Sequence, residues 1–152
     1  MRYVKIWCGV MFLLVVAAVS IQAAEPRDEA VTLVQSAVAF YKTNGLEKSI
    51  DEFSNPKGQF SKGELYVFAY DINGTMMAHP NNPKLIGQNL LDVPDATSKN
   101  FYRKTIITTA LKDGKGWVNY KYQNPKTKEQ ENKTTYFEKA DDLIICCGIY
   151  KK

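Results

Sequence analysis

The run Leu65-Tyr66-Val67-Phe68-Ala69-Tyr70, followed at once by Asp71-Ile72-Asn73-Gly74, commits the middle of this chain to a β-hairpin. Its residues are mostly aromatic and aliphatic types that suit a pleated surface. Asn-Gly is the strongest short hairpin signal, because the tight turn needs positive φ values that these two residues adopt at low cost. The return strand runs over 75–79 and ends at Pro80, which has no N–H for a ladder.

Three further strands are expected over 116–123, 132–139 and 143–150, separated by turns at Asn124-Pro125 and Asp141-Asp142. They read as an antiparallel meander and bring the expected strand number to five. Ala30, Leu33, Val34, Ala37, Val38 and Tyr41 recur at helical spacing over 26–43. Pro26 suits a first turn, Asp28 and Glu29 complement the helix dipole, and Asn44-Gly45 supplies a left-handed stop. A shorter helix is expected over 46–53 and another over 99–111, ended by Asp113-Gly114. The fold class that follows is α+β, a five-stranded antiparallel sheet with a long N-terminal helix and its helices on one face. Between strands and helix, 81–95 is irregular and punctuated by Pro83, Gly87 and Pro94. Loops of that length in compact domains are usually lids or binding loops.

The N-terminus carries a different signal. Arg2 and Lys5 precede an apolar run over 6–19, and the small residues Ser20, Ala23 and Ala24 follow. A basic n-region, a short apolar core and a small-residue cleavage site make a secretory signal peptide. The run is shorter than the ~20 apolar residues of a spanning helix, which leaves an uncleaved anchor as the weaker alternative. Cleavage after Ala23 divides the chain into a leader, 1–23, and a domain, 24–152, delivered to the periplasm. Two of the 20 basic residues fall in the leader, which leaves 18 against 16 acidic ones. So balanced a charge argues against nucleic acid as a partner. The remaining ~129 residues suit one domain with one core.

Outside the leader the cysteines are Cys146 and Cys147, which are adjacent. They form no disulfide framework. Either they are small strand residues facing opposite sides of the sheet, or they act as an intermolecular or redox-sensitive pair. His79 is the only histidine, so a His-rich metal site is excluded. Neither a nucleophile elbow nor a Gly-rich phosphate loop is present. The chain therefore reads as a non-enzyme with no catalytic residue, metal or cofactor.

One residue breaks its local pattern. A helix over 99–112 groups Tyr102, Ile106, Ile107, Ala110 and Leu111 on one face at ~100° per residue, and Arg103 lands among them. A guanidinium directed inward is costly unless an anion meets it. Either the side chain snorkels to the domain edge, or its partner is an internal carboxylate, such as an Asp of the long loop, or a bound carboxylate held bidentately. Tyr120 and Tyr122 share a strand face with Val118, while Trp117 lies on the other. Tyrosines either pack a core or line a cavity with hydroxyls available. His79 at the mouth of the loop either donates to a ligand or braces the loop. Lys133 either joins it or is an exposed hairpin lysine. Tyr66 and Trp117 complete the candidate ligand-binding set.

An ordered set of short motifs runs through these elements. It comprises Tyr66-Val67-Phe68-Ala69-Tyr70-Asp71, Gly74, His79-Pro80, Leu85-Ile86-Gly87-Gln88-Asn89-Leu90 and Gly114-Lys115-Gly116-Trp117-Val118-Asn119-Tyr120. Asn124-Pro125, Lys133-Thr134-Thr135-Tyr136 and Gly148-Ile149-Tyr150 complete it. Over about residues 30–150 it resembles the single Cache domains, extracytoplasmic ligand-sensing modules of bacteria. The resemblance implies a PAS-like sheet with a helix and loop layer over a pocket that takes small molecules, often short organic acids. His79, Tyr120 and Lys133 fall on its recurring motif positions. It also implies signal transduction through a membrane-bound partner, because the chain ends at Lys151-Lys152 with no output domain of its own. A homodimer is compatible with this arrangement. The alternative is a ligand-free adaptor or dimerisation module of an envelope signalling system.

Overall fold

A computed structural model describes residues 25–151 apart from Ala96 and Ser98. The leader 1–23 lies outside the described residues. Helix α1 (Pro26–Ser54) opens on Pro26 with Asp28 and Glu29 in its first turn. At Gly45 the backbone leaves helical geometry, with φ 80° and ψ 179°. α1 is therefore two helical segments joined across a kink at Gly45, as the Asn44-Gly45 stop led one to expect.

The strands that follow are β1 (Ser61–Lys62), β2 (Leu65–Asp71) and β3 (Met76–Ala78). A 3-10 turn (Pro83–Leu85) and helix α2 (Tyr102–Asp113) come next. The chain closes with β4 (Lys115–Gln123), β5 (Gln130–Ala140) and β6 (Leu143–Tyr150). The sheet is antiparallel, in the order β1-β2-β6-β5-β4, with β3 also paired to β2. It has six strands rather than five, because the two-residue β1 adds a short edge to β2. Helix α2 begins later than expected, since Lys99 has a left-handed φ of 53° that no helix accommodates. It ends where expected, on left-handed Gly114.

The helices do not share a face of the sheet. Ala30, Leu33, Val34, Ala37 and Phe53 of α1 pack against Val67, Ala69, Leu143, Ile145 and Cys147. Helix α2 packs on the other side, its Tyr102, Ile106, Ile107 and Ala110 meeting Phe68, Tyr70, Val118, Phe137, Ile144 and Cys146. A sheet covered on both faces explains why β2 and β6 are buried at nearly every position. Each large side chain buried this way contributes about 1.5–3 kcal/mol. Leu111, expected on the inner face of α2, is 52% exposed. Cys146 and Cys147 are free, buried thiols that look to opposite sides of β6. Burial pushes the Cys147 thiol up to about 12, so it is not a thiolate near neutral pH.

The segment after β3 is tied down rather than loose. Met76 N–H donates to the Gln88 carbonyl at 3.0 Å, and Gly87 N–H to the Met76 carbonyl at 2.8 Å. Leu90 N–H reaches the Gly74 carbonyl at 2.9 Å, and Thr75 forms a β-bridge with Asn89. The hairpin thus holds the covering loop in place over the α2 side of the sheet.

Candidate ligand-binding site

Lys133 starts the site. On β5 it alternates with Thr134, so it points to the α2 side together with Phe137. Its Nζ donates to the Tyr66 hydroxyl at 2.7 Å and to the Tyr150 hydroxyl at 3.3 Å, and these hydroxyls stand 3.2 Å apart. The ammonium lies 4.2 Å from the Tyr66 ring centre, 4.7 Å from Tyr150, and 5.2 Å from both Phe68 and Tyr122. Ring faces and hydroxyls attract a cation, but no carboxylate among the described residues forms a salt bridge to it. The side chain is 1% exposed. Burial pulls the amine down from its ordinary 10.5 to about 7.

His79 follows β3 directly. Its Nδ1 accepts N–H groups from Asn81 at 3.2 Å and Asn82 at 3.0 Å. That occupies the acceptor nitrogen and leaves the ring proton on Nε2, so the imidazole is a donor. The ring stacks on Phe68, with centres 5.7 Å apart, and also packs on Tyr66 and Tyr122. Burial, then Lys133 and Arg103, lower its pKa to about 3. His79 is neutral throughout the physiological range.

Arg103, in the first turn of α2, does point inward and is 6% exposed. The guanidinium lies over the Tyr102 ring at 4.4 Å, and Nη1 donates to the Val93 carbonyl at 3.1 Å. Its Nε is buried with no hydrogen-bond partner. Burial works against its charge, but Tyr102 and Tyr70 outweigh burial and hold the pKa above the ordinary value. Beside it the Tyr102 and Tyr120 rings stack face to face, 3.8 Å between centres and 3° from parallel. The Tyr120 hydroxyl is paired with Thr135 Oγ1 at 2.8 Å.

Two spaces meet here. An inner void of about 10 Å³ is closed by Phe68, Tyr70, Met76, Tyr120 and Lys133, with His79, Tyr102 and Tyr122. That is room for about one water. An outer cavity of about 560 Å³ opens under the covering loop and takes in Arg103, Val93 and Asp95. His79, Tyr102 and Tyr122 line both spaces and so form the wall between them. The outer cavity is larger, and the inner void is lined by the buried ammonium and the imidazole. Among the described residues, no group of three or more His, Cys, Asp or Glu side chains is placed to hold a metal ion.

The structure brings Tyr66, His79, Arg103, Tyr120, Tyr122 and Lys133 to this one region. Trp117 is not among them. It lies on the α1 face, packed on Tyr136 at 5.1 Å with the Arg27 guanidinium 4.3 Å above its ring. Strand alternation separates it from Val118, Tyr120 and Tyr122, so it cannot share their pocket. Lys133 is not an exposed hairpin lysine either. Sequence reasoning missed Tyr70, Tyr102 and Tyr150. Alternation from Tyr66 selects Tyr70, but recognising Tyr150 requires knowing that β6 pairs with β2.

A Cache domain family model matches residues 25–151. The chain belongs to the Cache domain family. Cache domains are extracytoplasmic, ligand-binding sensor modules of membrane receptors. Over 87 residues this Cache domain is 30% identical to the sensor histidine kinase MctS of Rhizobium johnstonii, and 31% identical to the methyl-accepting chemotaxis protein McpP of Pseudomonas putida. Those matches take in 56% of this chain but only 18% and 16% of the two relatives. A solved Cache chemosensory domain, described for its carboxylic acid recognition, superposes with a TM-score of 0.71 at 23% identity. That superposition covers 82% of this chain and 92% of the other. A methyl-accepting chemotaxis protein from Vibrio parahaemolyticus gives 0.70 at 23% identity, over 82% and 87%. At that identity both establish the shared fold. No helix among the described residues is long and apolar enough to cross a membrane.

Proposed function

We propose that this Cache domain senses a short-chain monocarboxylate of two to four carbons, with Lys133 Nζ and His79 Nε2 donating to the carboxylate. Arg103 adds a second positive charge at the outer wall. The observation that carries this reading is the Lys133 ammonium, buried among hydroxyls and ring faces. A buried cation without a counter-ion costs several kcal/mol, and an arriving carboxylate recovers part of that cost. Phe68, Tyr70 and Met76 offer an apolar lining for the acyl tail. No Asp or Glu is among the described residues that close the inner void, which disfavours amino acids and amines. Binding enlarges the void by displacing Tyr122, the wall residue farthest along β4. A carboxylic acid ligand is also what the solved Cache chemosensory domain of the same fold was described with.

The site is read as one of binding without turnover. The acceptor nitrogen of His79 is already engaged by backbone N–H groups, so it has no lone pair to act as a base. The leader 1–23 would deliver the domain to the periplasm, where a membrane-bound signalling partner receives its state. The small size of the inner void favours a second reading, a ligand-free adaptor or dimerisation module.

A thermal-shift screen of the purified protein decides between them. A ligand at ~100 times its dissociation constant adds about 2.7 kcal/mol to stability. Acetate, propionate or butyrate should raise Tm, while amines, amino acids and purines should not. No shift with any acid would discard the sensor reading in favour of the adaptor.

A further inference from the structure

Gly148 sits inside β6, opposite Thr135 of β5, and takes no left-handed φ that would require a glycine. What it lacks is space. A Cβ built there would lie 2.2 Å from Lys133 Cε, 3.1 Å from Lys133 Cδ and 2.5 Å from Thr135 Oγ1. Contacts that short force something to move, and the aliphatic stem of Lys133 is the first thing struck.

The reason lies in the strand order. Lys133 is on β5, whereas the Tyr66 hydroxyl it meets belongs to β2, and β6 runs between them. Adjacent strands are about 4.8 Å apart and side chains ordinarily stand off the sheet. To cover two such steps and still place Nζ 2.7 Å from Tyr66, the stem has to lie flat across β6. It crosses at Gly148, which presents no side chain.

We propose that Gly148 is a positioning residue for ligand recognition, the gap in β6 through which Lys133 reaches the Tyr66–Tyr150 hydroxyl pair. The proposal rests on the reading of Lys133 as the carboxylate anchor. A methyl group at 148 lifts the stem, withdraws the ammonium from its ring cage and leaves the anchor out of register with His79. Gly148 touches no ligand in this scheme and acts through Lys133, with Thr135 the other side chain a methyl group there would crowd.

The test is a double-mutant cycle of Gly148→Ala and Lys133→Ala in the full chain, read by Tm and by an NMR titration of the Lys133 amine. Gly148→Ala alone should lower Tm, move the amine midpoint from about 7 toward 10.5, and weaken propionate binding at least tenfold. In the Lys133→Ala background the same glycine substitution should cost clearly less Tm, because the stem it would strike is gone and only the contact with Thr135 Oγ1 remains. If Gly148→Ala does not fold while the double variant does, the coupling holds in its strongest form. An amine still titrating near 7 in Gly148→Ala, an equal Tm loss in both backgrounds, or failure of both variants to fold would overturn the proposal. The cycle and the titration need no ligand. A wild type indifferent to every acid would therefore overturn the sensor reading while the cycle still judged the gap.

Discussion

Lys133 Nζ and the Tyr66 hydroxyl are 2.7 Å apart, although 67 positions separate the two residues in the chain. The contact joins β5 to β2 across β6 and buries a cation that the described carboxylates leave uncompensated. Such a group opposes folding, and its presence at the centre of the candidate site is what a function-bearing residue looks like thermodynamically.

Lys133→Met should therefore stabilise the protein near neutral pH, by ~1–3 kcal/mol, because a flexible apolar side chain replaces a desolvated charge. The amine midpoint is about 7 in the folded state against an ordinary 10.5. Above pH 7 the folded amine loses its proton while the unfolded one keeps it, so stability of the wild type rises through that window. Denaturant melts from pH 6 to 9.5 should show the gap between variant and wild type narrowing as pH rises. A constant gap would mean that Lys133 is not depressed.

His79 acts with the same sign, in a lower pH window. Its pKa falls from 6.5 to about 3 in the folded state. Between these values the unfolded chain takes up a proton that the folded chain refuses, and stability drops as pH falls through that range. Nitrogen NMR of the ring should report the Nε2–H tautomer, unchanged from pH 5 to 8. A titration near 6.5 would show the ring to be solvated and free of its two backbone donors.

Arg103→Ala should weaken acid binding by about ten- to a hundredfold, the ~1.5–3 kcal/mol of a hydrogen bond or close contact to a charged group. It also removes the donor to the Val93 carbonyl, so amide exchange should quicken around residues 92–95. Calorimetric affinity equal to wild type would confine Arg103 to bracing the loop.

Tyr122→Ala removes part of the wall between the inner void and the outer cavity. Preference should then move toward acids of five or six carbons, measured as the ratio of butyrate to hexanoate affinity. An unchanged ratio would place the ligand elsewhere than across this wall.

Much of this site was legible locally. The hairpin at Asn73-Gly74, the left-handed stops at Gly45 and Gly114, and the inward Arg103 follow from turn chemistry and helical angle, which act within a few residues. The face of Trp117 was legible too, since alternation already opposed it to Tyr120 and Tyr122, and grouping it with them ignored that period. What was not legible depends on which strands become neighbours. The Tyr66–Tyr150–Lys133 cage needs β6 inserted between β2 and β5, and the Tyr102–Tyr120 stack needs α2 on the face opposite α1. Neither fact is written in any short window. The two-residue β1 is too short to carry a periodic pattern, and Lys99 leaves the helix because of a backbone conformation that its apolar neighbours do not announce.

The most direct test of Lys133 as the carboxylate anchor is a calorimetric titration of propionate into wild type and Lys133→Met at pH 6.5 and pH 9. A bound carboxylate favours the ammonium, so wild-type affinity should fall at least tenfold between these values as the free amine deprotonates above about 7, and Lys133→Met should bind at neither. Equal affinity at both pH values, or undiminished binding by Lys133→Met, would contradict it.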